Sequence, residues 1–180
     1  MDKKKAPKVV IIYYALLHYR QSLFDYLLES DEVNFHIICG QKSQFANSKY
    51  YQPKHPNISV IKNRFFNLSG KLFYIQTPVI RTILQQKPEV LILRGVNPQI
   101  ISMLYTFIFI KLFKRNIKIY WWGHGGSGNQ GGLGVLFRKF FYKYSNGVLL
   151  QGNEGVKTMK AMEVEPQNIY VVGNLSLIHI

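Results

Sequence analysis

Short apolar runs rich in β-branched and aromatic residues recur along this chain, most of them separated by stretches with apolar positions at helical spacing. Lys8–Tyr14, Val33–Cys39, Ile58–Ile61, Val90–Leu93, Ile117–Trp122, Gly147–Leu150 and Ile169–Val172 predict strands. Tyr19–Leu28, Tyr74–Gln86, Gln99–Phe113, Leu133–Tyr144 and Gly155–Met162 predict helices. The first of these should begin near Arg20, and Lys87-Pro88 ends the second. Gln41–Asn57 is polar, dotted with aromatics and punctuated by proline, and predicts a long loop. Strand and helix alternate from end to end, which predicts an α/β fold: a Rossmann-like parallel sheet of about seven strands with helices on both faces.

In such a sheet the loops at the carboxyl ends of the strands carry the chemistry. Ile117–Gly128 stands out: an apolar run with both tryptophans of the chain, Trp121 and Trp122, stops at Gly123 and opens into a glycine-rich loop. His124 sits within that loop, flanked by Gly123, Gly125 and Gly126, which let backbone approach a ligand. The alternative for a glycine run is a flexible turn with no ligand; the embedded histidine favours a site. His18 and Arg20 follow the first strand on the same edge, and Arg20 at a helix start could hold a phosphate or could be a solvated arginine. Arg94 follows the Val90–Leu93 strand. His36 lies inside a strand and reads as a satisfied structural histidine.

Charge narrows the chemistry. The 180 residues carry 23 Lys+Arg against 9 Asp+Glu, a formal charge of +14 that favours polyanionic partners. No acid lies between Glu32 and Glu89 or between Glu89 and Glu154, so a paired-carboxylate hydrolase has few places to draw its residues from. A single cysteine, Cys39, excludes an internal disulfide framework and a cysteine-based zinc site. Gly123–Gly128 fits the spacing of a dinucleotide fingerprint, but it does not follow the first strand and no acid follows within about 20 residues. There is no phosphate-binding P-loop and no nucleophile elbow. Lys3-Lys4-Lys5 leads into too short an apolar run for a signal peptide, and Ile100–Phe113 is too short and too interrupted to span a membrane. From Lys111 to Lys143 there are seven basic residues and no acid, and Leu136, Phe137, Phe140 and Phe141 interleave with Arg138, Lys139 and Lys143. Segment 136–143 therefore reads either as an amphipathic element for an anionic membrane or as a core-facing stripe with a solvated basic face. No recognised nucleic-acid-binding module is present, so no nucleic-acid partner is expected.

Four places carry a family resemblance. His18-Tyr19-Arg20 with Phe24-Asp25, Trp122-Gly123-His124-Gly125, the segment Tyr144–Gly155 and the segment Val164–Asn174 occur in the order seen in GT-B glycosyltransferases. The chain resembles the N-terminal, acceptor-side half of the family-4-like bacterial enzymes of polysaccharide and lipopolysaccharide assembly, from Lys8 to Asn174. The resemblance implies a cytoplasmic enzyme, peripheral on the inner face of the membrane, that moves a sugar from a nucleotide-sugar donor to a glycan or lipid-linked acceptor with retention. It implies no cofactor and no metal. On this reading His124 is the catalytic residue reaching toward the donor sugar, and His18, Arg20, Arg94, Gly123, Gly125 and Gly126 bind substrate. Residues 1–174 would form one domain, and the donor domain would be missing. Leu175–Ile180 matches the translation of a common sequencing-adapter end, so the fragment alone is expected to be inactive. The alternatives are a non-catalytic α/β subunit that binds an anionic ligand or membrane beside a separate catalytic chain, and a nucleic-acid binder whose affinity falls steeply with salt.

Overall fold

The computed structural model describes residues 6–41, 54–125 and 133–173. Eight strands form one sheet in the order β4-β3-β2-β1-β5-β6-β7-β8. They are β1 (Lys8–Tyr13), β2 (Asn34–Gly40), β3 (Ile58–Leu68), β4 (Lys71–Thr77), β5 (Val90–Arg94), β6 (Lys118–Gly123), β7 (Gly147–Leu150) and β8 (Ile169–Val171). The helices are α1 (Gln21–Leu28), α2 (Val79–Gln86), α3 (Ile101–Phe113), α4 (Leu133–Lys143) and α5 (Glu154–Ala161), with one 3₁₀ turn at His18–Arg20 and another at Pro166–Asn168.

β1 lies at the centre, pairing in parallel with β2 (Ile11 opposite Ile37) and with β5 (Ile11 opposite Ile92). Strands covered on both faces must be apolar at successive positions, and Val9 to Tyr13 are all buried. Alternation along β6 sends its two tryptophans to opposite faces. Trp121 stacks on Phe107 of α3 at 5.6 Å and meets Phe141 of α4 edge-on at 6.1 Å. Its indole N–H donates to the Phe141 carbonyl at 3.1 Å. Trp122 turns the other way, toward Tyr13 at 6.1 Å between ring centres. On that face Leu23 and Leu27 of α1 share a groove with Ile11, Phe35, Ile92 and Trp122. Helices thus cover both faces.

Two expectations are corrected. The sheet has eight strands, because the Ile58–Ile61 run continues to Leu68 and turns back as antiparallel β4 (Lys62 opposite Thr77). Ser69 and Gly70 make the two-residue turn with φ of 50° and 73°, the left-handed pair whose twist suits a tight hairpin. The helix expected over Tyr74–Gln86 begins at Val79, after Pro78. Tyr74 and Gln76 belong to β4, where Tyr74 pairs with Phe65. Gln76 is fully buried: its side chain donates to the Tyr13 carbonyl at 3.1 Å, and its carbonyl accepts from the Tyr105 hydroxyl at 3.0 Å. That anchoring ties the hairpin to the end of β1 and to α3. Most of the expected 41–57 loop, most of the glycine loop after Gly125 and the 174–180 tail lie outside the described residues. Among those described, no helix is long and apolar enough to cross a membrane.

Candidate functional site

With the hairpin strand set aside, the order is that of a doubly wound sheet, and the chain reverses direction between β1 and β5. Loops leaving two adjacent strands at such a point diverge and leave a crevice. A cavity of about 260 Å³ opens there. Tyr13 from β1, Arg94 from β5, Trp122, Gly123 and His124 from the end of β6, Gln151 after β7 and Tyr142 of α4 are among its lining residues.

Arg94 is held by aromatic faces. Its guanidinium carbon lies 4.6 Å from the Tyr13 ring centre and 4.4 Å from that of Tyr14. Arg20 is only 5% exposed although it sits in a turn. The 3₁₀ turn folds it inward, 5.4 Å from the Trp122 ring centre and 6.0 Å from that of Tyr13, and its Nη2 donates to Gln151 Oε1 at 3.2 Å. Two cations thus share the Tyr13 ring. Among the described residues, both ion pairs lie elsewhere, on Glu163, and no carboxylate lines the cavity. Burial pushes the Tyr13 phenol pKa up, while the charges of Arg94 and Arg20 act in the opposite sense.

His124 is exposed at the cavity rim. Its loop is located by glycine. Gly125 has φ +84°, and a Cβ on it would come within 2.8 Å of the Gly155 Cα. A Cβ on Gly155 would in turn come within 2.7 Å of the His124 carbonyl oxygen. Gly123 carries no such demand, since a Cβ there meets only ordinary contacts with Gly95.

The structure therefore gathers Arg94, Gly123, His124 and Gly125 around one cavity, with Arg20 linked to it through Gln151 and Trp122. His18 is exposed and does not line it, and Gly126 lies outside the described residues. Sequence reasoning assigned no site role to Tyr13, Tyr142 or Gln151. Gln151 had the same signal as Arg94, a polar residue directly after a buried strand. His36 is structural: its Nε2 bonds the Ser59 hydroxyl at 2.9 Å. Burial pushes the Cys39 thiol up to about 12, which leaves it protonated and unreactive. Among the described residues no group of three or more His, Cys, Asp and Glu could hold a metal ion.

No protein-family model and no curated protein matches the sequence. Solved structures do match. The chain is similar to the UDP-GlcNAc 2-epimerase of Methanocaldococcus jannaschii, with TM-score 0.58 and 19% identity over 93% of this chain and 45% of that one. A putative UDP-N-acetylglucosamine 2-epimerase from Listeria monocytogenes gives TM-score 0.59 and 12% identity over 95% of this chain and 46% of that one. The lipopolysaccharide outer core galactosyltransferase WaaB, in its apo form, gives 0.56 and 15% over 93% and 45%. The fold is a Rossmann-like α/β sheet that matches about 45% of the length of these GT-B chains. The chain spans less than half the length of these structures. At such identities the likeness is one of fold, and the chemistry has to be argued from the cavity.

Proposed function

We propose that this chain is the acceptor-side half of a glycosyltransferase that moves a sugar from a nucleotide-sugar donor to a glycan or lipid-linked acceptor, with retention. One observation carries the proposal: Arg94 and His124 line the switch-point cavity, with Arg20 behind it on Gln151 and no carboxylate lining it among the described residues. Displacing a nucleoside diphosphate needs positive charge and hydrogen-bond donors aimed at the leaving oxygens, and that set of residues supplies them. Epimerisation at a sugar carbon needs a base and an acid on the reacting carbon, and among the described residues this cavity offers one imidazole and two phenols but no carboxylate. The likeness in fold to a galactosyltransferase is consistent with transfer. In this proposal His124 reaches the donor sugar, and α4 rests on an anionic membrane that presents the acceptor.

The test uses the protein at the full length its source encodes, incubated with a panel of nucleotide sugars. Sugar transfer is the expected result. His124→Ala should lower turnover at least about 100-fold with folding intact by circular dichroism. Consumption of no nucleotide sugar by the wild type, or full turnover by the variant, contradicts the proposal.

A further inference from the structure

Four buried polar atoms around the switch point have no hydrogen-bond partner among the described residues: Tyr13 Oη, Arg20 Nε, Arg94 Nη1 and Trp122 Nε1. Tyr13, Arg94 and Trp122 all line the cavity, and all four atoms can donate a hydrogen bond. A buried donor without a partner is costly, so several in one place need a reason. Arg94 is the sharpest case. Its side chain makes no hydrogen bond or ion pair with any described residue, its Nη1 is buried without a partner, and its guanidinium lies against the faces of Tyr13 and Tyr14. Held in this way, the guanidinium can turn toward the cavity without breaking a bond. A second uncompensated guanidinium, Arg20, lies 6.0 Å from the same Tyr13 ring. Two cations on one ring, with no carboxylate lining the cavity among the described residues, repel each other until an anion sits with them.

We infer that Arg94, Tyr13 and Trp122 form an oxyanion seat, and that the ligand of this cavity carries a carboxylate or phosphate group there. The inference rests on the cavity being the ligand site and adds which buried donors would hold the charge of what enters it. The guanidinium supplies a forked pair of charge-assisted donors, while the phenol and the indole N–H each add one. An uncharged sugar could accept from these donors through its hydroxyls but would leave the guanidinium charge unpaired.

The test is a fluorescence titration of the protein at the full length its source encodes, read through Trp122 on the cavity wall. Glucuronate, glucose 6-phosphate and UDP are compared with glucose. At least one anionic probe should bind at least about 10-fold more tightly than glucose. Arg94→Gln should remove most of that advantage, and Tyr13→Phe should weaken binding several-fold while leaving the melting temperature unchanged or higher. A structural hydroxyl would lower it instead. Loss of UDP binding alone in Arg94→Gln assigns the seat to the donor's diphosphate, and loss of glucuronate or glucose 6-phosphate binding assigns it to an anionic acceptor. The seat is overturned if no anionic probe outbinds glucose, or if both folded variants bind as the wild type does. Binding of the anionic probes that ignores both substitutions would remove the seat and leave the cleft. No binding of any sugar or nucleotide would remove both.

Discussion

Gly155 shows how one residue sets the position of another. It belongs to the first turn of α5, where alanine is ordinarily the better residue by up to about 1 kcal/mol. A Cβ there would meet the His124 carbonyl oxygen at 2.7 Å and Leu150 side-chain carbons at 3.1 and 3.2 Å. Backbone cannot yield as a side-chain end does, so overpacking of roughly 1–3 kcal/mol should outweigh the helical gain. Gly155→Ala is expected to lower the melting temperature by a few degrees and to displace the His124 loop. A higher melting temperature would mean that the contact yields without cost. In the sequence His124 is legible, because glycines around a histidine after an apolar strand are unusual. Gly155 is not legible there, because its constraint comes from a loop some thirty residues earlier in the chain. Arg20 is only half legible: its position after β1 places it on the edge where the cavity lies, but its burial depends on the turn after β1 meeting Trp122 at the end of β6, two strands away, which no local pattern encodes.

At the scale of elements, the parallel strands read well because a strand buried on both faces leaves an unbroken apolar run. β3 and β4 read poorly, because the outer part of the hairpin is half-exposed and mixes charge with aromatics. The tight Ser69-Gly70 turn is the signal they offer, and helix-like spacing from Tyr74 onward masks it. β2 carries a pH-dependent element. Burial, helped by the charges of Lys8 and His55, pushes His36 from the usual 6.5 down to about 4. The folded state therefore holds fewer protons on this group than the unfolded state between those values. Its contribution to stability is fully present above about pH 6.5 and is lost as pH falls toward 4, by up to about 3 kcal/mol. Urea unfolding at pH 7 and pH 4.5 should show this loss, and His36→Gln should flatten it. An equal loss in the variant would assign the acid sensitivity to other groups.

At the scale of the whole molecule, a charge of +14 attracts any polyanion, so affinity for anions by itself separates nothing. What distinguishes a membrane from a nucleic acid is apolar surface beside the charge. Leu136, Phe140 and Tyr144, spaced at i, i+4 and i+8 along α4 and just past its end, are 62%, 50% and 55% exposed. The inner face of the same helix is buried through Phe141 and Tyr142. Its basic side is partly engaged, since Lys139 and Lys143 both pair with Glu163. Electrostatic attraction alone would fall steeply with salt, whereas an inserted apolar ridge keeps part of the affinity. Sinking two half-exposed apolar side chains into a bilayer is worth roughly 1.5–3 kcal/mol, or about 10- to 100-fold in partitioning. Leu136→Ser with Phe140→Ser should therefore lower co-sedimentation with vesicles of mixed neutral and anionic phospholipid by about that factor. The salt dependence and the binding to duplex DNA should not change, because no charge has been removed. If the double variant sediments as the wild type does, the ridge stays out of the bilayer and the contact with anions is a matter of charge alone.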